Sequence, residues 1–282
     1  MKLTPRQLRQ QLEPAYAATE AANIVRWICC DVWGQSAADY YLDKSMDLSA
    51  DEAQQWENIS TRLLHREPLQ YILGEARFFG RTFHVTPDVL IPRPETEELV
   101  ELLLGEVTPH ARILDIGTGS GCIAVTVKLE CPTAHVVGWD ISAAALDVAR
   151  RNGEQLQADV EWCRRDVWDE AADDTADSYD VIVSNPPYVT ESERLQMEPH
   201  VVGWEPHTAL FVPDDDPLRF YRRIAELGHR LLSPRGRLYL EINRAFGGAT
   251  VDLLRRTGYA GDIRLLQDIS HNERFVIANK QL

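Results

Sequence analysis

From Arg112 onward, short runs rich in Val, Ile and Leu alternate with segments whose apolar residues recur at helical spacing. Strands are predicted over 113–116, 136–140, 160–163, 181–184 and 237–242. Helices are predicted from Gly121, over 143–152, around 218–232 and over 249–257. Near-continuous apolar runs mark strands buried on both faces, which requires helices above and below the sheet. Runs at 263–266 and 274–278 predict a terminal hairpin. The sum is seven strands in an α/β, doubly wound, mostly parallel sheet.

The first 75 residues read differently, as helices only. Thr4-Pro5 places a cap and a first-turn proline ahead of Leu8 and Leu12. Ile24, Val25, Trp27, Ile28, Val32 and Trp33 form a helical stripe, and Ser49-Ala50-Asp51-Glu52 is a capping-box pattern opening a helix that runs to about His65. Pro68 and Gly74 break the pattern, and 77–85 reads as a hairpin. Three parts are therefore expected: a small all-helical domain over 1–75, a hairpin linker over 76–95, and the α/β domain over 96–282. The acidic stretch 171–180 reads as a solvated loop.

With 282 residues, 44% of them hydrophobic, the chain can fill one large core or two modest ones. No apolar stretch approaches the roughly 20 residues of a membrane span, and the first 14 residues lack the apolar core of a signal peptide. Five cysteines with no Cys-x-x-Cys pair point away from disulfides and zinc and toward a reducing cytoplasm. Cys122 reads as a small buried residue rather than a reactive thiol. His84, His200 and His207 lack metal spacing, so no metal is expected. Net charge is −15, with 7 Lys and Arg against 11 Asp and Glu in the first 75 residues. Neither part is basic, which disfavours a substrate held by nucleic-acid phosphates. Arg222-Arg223 and Arg255-Arg256 are expected on solvated helix faces.

Two motifs carry chemistry. Asn185-Pro186-Pro187-Tyr188 follows the buried run ending at Ser184. Neither proline has an N–H, and each fixes φ, so the backbone leaves the sheet stiffly with acceptors unpaired. Rigid acceptors beside an aromatic ring suit a planar –NH2 group. Asp115-Ile116-Gly117-Thr118-Gly119-Ser120-Gly121 links the first strand to a helix. Its glycines permit a tight turn and close approach of a ligand to the main chain. The spacing is G-x-G-x-G, without the Lys-Ser/Thr of a nucleoside-triphosphate loop. A carboxylate beneath it suits the ammonium and sulfonium charges of S-adenosylmethionine better than a phosphate. Asp115 either meets that charge or ties down the loop. Asp140, the nineteenth residue after Gly121, stands where a carboxylate accepts from a ribose diol. Asp166 either accepts from an adenine amino group, with Val167 against the ring, or is a surface residue.

In these motifs the chain resembles the N5-glutamine methyltransferases of the HemK/PrmC family, which act on the glutamine of the Gly-Gly-Gln motif in peptide-chain release factors. The resemblance covers nearly the whole length: Pro68 to Glu75, Ile91-Pro92-Arg93-Pro94-Glu95-Thr96-Glu97-Glu98-Leu99, Asp115 to Cys122, and Val183 to Tyr188. Glu205-Pro206, Ala209-Leu210-Phe211 and Phe220-Tyr221-Arg222-Arg223-Ile224 also match. It departs at Asp166-Val167-Trp168, Asn243 and 213–217. Asn-Pro-Pro-Tyr is shared with amino-directed nucleic-acid methyltransferases. The Pro-Arg-Pro-Glu-Thr-Glu segment and the helical module favour the release-factor branch over ribosomal-protein and N6-adenine or guanine enzymes, and intact motifs argue against a non-catalytic adaptor.

The resemblance implies S-adenosylmethionine as cofactor, held by Asp115, Gly117, Thr118, Gly119, Ser120, Gly121, Asp140, Asp166, Val167 and Asn185. It implies transfer at Asn185, Pro186 and Tyr188, with Pro187 also against the substrate. Asn185 and the Pro186 carbonyl are expected to accept the two amide hydrogens, and Tyr188 to stack on the amide plane. The resemblance implies a release factor as partner, with neither nucleic acid nor membrane expected. Leu90 and Ile91 are expected against the cofactor and Glu205-Pro206 at the cleft or anchoring a loop. Arg93 and Glu95 either shape the glutamine's passage or pair between domains.

Overall fold

The computed structural model describes residues 1–169 and 179–280, so most of the acidic stretch lies outside the described residues. Two compact units result: Met1–Leu73 with Glu198–Trp204, and Gly74–Met197 with Glu205–Leu282.

The first unit is helical around a core of Leu8, Leu12, Val25, Ile28, Trp56, Ile59 and Leu63. Thr4 caps Pro5–Leu12, and Ser49 caps Ala50–Leu64 in a full capping box with Glu52. The stripe beginning at Ile24 is one helix, Ala18–Arg26, that widens into a π-turn over Trp27–Val32. A two-residue antiparallel ladder, Lys2–Leu3 with Met46–Asp47, adds to the expected helices. Two residues are too short to register as a strand period.

The second unit contains the seven-stranded sheet. Its strands are β1 (Arg112–Ile116), β2 (His135–Asp140), β3 (Glu161–Arg164), β4 (Tyr179–Ser184), β5 (Leu232–Glu241), β6 (Ile263–Gln267) and β7 (Glu273–Asn279). Their order is β6-β7-β5-β4-β1-β2-β3, parallel from β5 to β3 and antiparallel at β7 and β6. The expected α/β sheet and its terminal hairpin are both present.

Alternation along each strand divides the core between the two faces. Ile113, Val181 and Val183 meet Leu99 and Leu103 of helix Pro94–Leu104 on one face. Leu114, Ile116 and Ile182 meet Ile224, Leu227 and Leu231 of helix Arg219–Leu231 on the other. The expected hairpin pairs Glu75–Phe78 with Arg81–His84. Chain order reverses between β1 and β4, which opens a crevice beyond their C-terminal ends.

Candidate active site

A cavity of about 610 Å3 fills that crevice, wholly within the second unit. The ends of β1, β2 and β4 form its floor through Ile116, Asp140 and Ser184, and the segment from Pro87 to Arg93 forms a wall. Ser184 Oγ donates to the Ile116 carbonyl over 2.7 Å, joining the two central strand tips.

The glycine loop crosses the floor with Gly117, Gly119 and Gly121 at φ of +73°, +55° and +79°, where a side chain would be strained. A Cβ on Gly117 or Gly119 would meet nothing within 4 Å, so open space faces the backbone there. Gly121 differs. It begins helix Cys122–Glu130, and a Cβ would sit 2.9 Å from the Trp162 ring. The same ring lies against Gly138 and Gly153, filling the volume behind the loop. Asn152 fixes the loop to the hairpin, donating to the carbonyls of Ser120 at 2.8 Å and His84 at 2.9 Å.

Asp140 accepts the N–H of Gly119 on one oxygen and that of Ser142 on the other, each at 2.9 Å. Lone pairs remain on both for hydroxyl donors from the cavity. Asp115 is fully buried behind the loop and takes the Thr118 hydroxyl on Oδ2 at 2.6 Å, with the Ala124 N–H also directed at its carboxyl. Burial pushes its pKa up to about 7, against the opposing Thr118 hydrogen bond. The hydrogen bond from the Thr118 hydroxyl ties this carboxyl to the loop.

Asp166, Val167 and Trp168 line the opposite side. Asp166 Oδ1 accepts the Trp168 N–H at 2.9 Å, and Arg223 donates to the carbonyls of Val167 and Asp169. Trp168 rests on Phe220 with ring centroids 5.6 Å apart. Of the basic pair 222–223, Arg223 departs from the expected solvated face, while the Arg222 side chain stays 43% exposed. Arg223 holds the cavity wall, and Arg222 grips Asp216 through two hydrogen bonds of 2.9 and 3.0 Å.

Asn185, Pro186 and Pro187 line the cavity at the tip of β4, and Leu90, Ile91 and Pro206 face it from other segments. The Asn185 Nδ2 group donates to Thr96 Oγ1 at 3.1 Å. Thr96 in turn donates to Glu241 Oε2 at 2.7 Å. Tyr188 is not on the cavity wall. Its hydroxyl donates to Glu241 Oε1 at 3.0 Å, and its ring packs on the core. After two prolines, the direction of Tyr188 follows the next residues, where Val189–Thr190 pair with Phe211–Val212.

Buried Glu205 accepts from the Ile91 N–H at 3.2 Å and pairs with Arg93 at 2.5 Å. Both partners lie in the second unit. The sequence alone assigned no role to Thr96, which lies within a matching segment, or to Glu241. His84 holds the Gly74 carbonyl and Arg151, and no metal-binding cluster occurs among the described residues.

The Methyltransferase small domain matches residues 95–201 and the PrmC N-terminal domain residues 6–74. The chain is 51% identical to the release factor glutamine methyltransferase of Bacteroides thetaiotaomicron, over 97% of this chain and 98% of that one. The chain belongs to the release factor glutamine methyltransferase family. Relatives of the same name in Flavobacterium psychrophilum and Streptococcus pneumoniae are 43% and 37% identical, covering 83% and 92% of this chain and 84% and 92% of theirs. The fold is similar to that of a methyltransferase from Pyrococcus furiosus, at a TM-score of 0.53 and 17% identity over 80% of this chain and all of that one. The family's cofactor is S-adenosylmethionine, and the cavity suits it. Open backbone at Gly117 and Gly119 and carboxylates at Asp140 and Asp166 fit a cationic nucleoside better than a phosphate chain.

Proposed function

We infer that this chain transfers a methyl group from S-adenosylmethionine to the side-chain nitrogen of the Gly-Gly-Gln glutamine of a peptide-chain release factor. The observation that carries this reading is the Asn185 carboxamide. One hydrogen of its –NH2 goes to Thr96, which sets the orientation of the amide and leaves Oδ1 as the acceptor for a substrate. Bound S-adenosylmethionine supplies a methyl group made electrophilic by the sulfonium charge.

Asp140 would accept from the ribose hydroxyls, Asp166 from the adenine amino group with Val167 beside the ring, and the glycine loop would admit the nucleoside closely. Asn185 Oδ1 and the Pro186 carbonyl would each accept one N–H of the glutamine amide. An amide nitrogen is a poor nucleophile because its lone pair is delocalised. Two fixed acceptors aim that lone pair and favour pyramidalisation. Positioning of this kind supplies up to about 7–11 kcal/mol, and fixed dipoles stabilise the positive charge growing on N–H. The methylated nitrogen is acidic enough to lose its extra proton to water, so no strong base is required. Pro187 stiffens the corner, and Tyr188 contributes through Glu241 rather than by covering the amide.

The helical unit is proposed to recognise the release factor. No described helix is long and apolar enough to cross a membrane. A cytoplasmic setting is supported by five cysteines that are all free. The test is mass spectrometry after incubating the protein and labelled cofactor with release factor, ribosomal protein and nucleic acid in parallel. A single methyl group on the Gly-Gly-Gln glutamine is expected. Label appearing only on ribosomal protein or nucleic acid would overturn the assignment.

A further inference from the structure

We propose, building on that transfer reading, that Thr96 and Glu241 are positioning residues that lock Asn185 with its oxygen toward the cavity and so make the site select a carboxamide over a carboxylate side chain. Three distant segments meet here. Thr96 lies in the first turn of helix Pro94–Leu104, Asn185 follows β4, and Glu241 ends β5. Leu240 pairs with Ser184, so the tips of β5 and β4 place Glu241 and Asn185 side by side.

The direction of the hydrogen bonds follows from an acceptor-only group at one end. An ionised carboxylate has no proton to give. Each Glu241 oxygen takes a hydroxyl, Oε2 from Thr96 and Oε1 from Tyr188. Burial, with Glu95 nearby, shifts the pKa of Glu241 upward overall, against the pull of both hydroxyls and the Arg274 guanidinium, so the lock is a property of the ionised form. A threonine hydroxyl carries one hydrogen, and Thr96 spends it on Glu241. Toward Asn185 it can then only accept, which requires the –NH2 on that side. Thr96 is 3% exposed and Glu241 1%, so water does not offer a ready alternative partner.

The consequence is selectivity. Asn185 presents an acceptor to a substrate amide, whose –NH2 has two hydrogens to give. A glutamate side chain in the same place would set lone pairs against lone pairs. A buried polar site discriminates strongly when a mismatch leaves its groups unpaired. With the lock removed, Asn185 can turn over and offer its –NH2 to a carboxylate.

The test compares the unmodified chain with Thr96→Val, Thr96→Ser and Glu241→Gln. Three quantities are measured: kcat with release factor, inhibition by a release factor whose Gly-Gly-Gln glutamine is replaced by glutamate, and cofactor affinity by calorimetry. Thr96→Val keeps the shape and loses the hydroxyl. We expect its kcat to fall about 10- to 100-fold, its cofactor affinity to stay within about threefold, and its discrimination against the glutamate form to drop at least about fivefold. Thr96→Ser should retain most of the turnover and the discrimination. Glu241→Gln can offer Thr96 an acceptor or a donor, so it should fall between. Should Thr96→Val fail to bind cofactor, Glu241→Gln decides alone. Unchanged discrimination in the folded variants would overturn the lock. Absence of transfer to release factor by the unmodified chain would overturn the functional reading and the lock with it.

Discussion

The backbone N–H of Gly119 donates to Asp140 Oδ2 over 2.9 Å, so the middle of the glycine loop hangs on the tip of the neighbouring strand. One carboxylate therefore shapes the loop and faces the cavity. Asp140→Ala should weaken cofactor binding about 10- to 100-fold, the range expected when a charged hydrogen-bond acceptor is lost. Asp140→Asn keeps one acceptor and should cost less. Calorimetry decides: unchanged affinity in Asp140→Ala would remove the residue from both roles.

Burial of Asp115 makes stability depend on pH. Its pKa rises from 3.8 to about 7 on folding, so the folded protein holds a proton that the unfolded chain releases. The contribution of this group is present in full below about pH 4 and is lost as pH rises through 7. Asp115→Asn carries no charge and should gain stability relative to the native chain across that interval, by up to roughly 4 kcal/mol. Denaturant titrations of the cofactor-free proteins at pH 5 and pH 8 test this. An equal difference at both values would contradict it.

The ring of Trp162 should be coupled to the glycines it covers. A Cβ on Gly138 would lie 2.5 Å from that ring, too close for any relaxed contact. Gly138→Ala should destabilise by about 1–3 kcal/mol through overpacking. Trp162→Leu makes room, so the double variant should be more stable than the sum of the single changes implies. Additive unfolding energies would show that the ring moves aside freely.

These relationships differ in how far the chain itself discloses them. Asp140 was legible because the loop, the helix and the next strand have near-fixed lengths, which set its offset from Gly121. Asn185 was legible because two prolines must end a buried strand. Thr96 and Glu241 were not, since they stand 89 and 145 residues from the groups they bond. Local spacing carries no signal for such pairs. Arg223 was misplaced for the same reason: a helical period marks which face it occupies, but not that the carbonyls of Val167 and Asp169 lie opposite. Tyr188 escaped because its direction depends on a two-residue pairing with Phe211–Val212.

The central claim is that Asn185 presents a fixed oxygen to a glutamine amide beside the cofactor loop. Its most direct test is Asn185→Ala, assayed for methyl transfer to release factor alongside calorimetry of cofactor binding. Loss of an oriented polar group at the reacting centre typically costs about 100- to 1000-fold in kcat. Turnover should fall by that much or more while cofactor affinity stays within about threefold. Near-normal turnover, or a collapse of cofactor affinity that alone accounts for the loss, would contradict it.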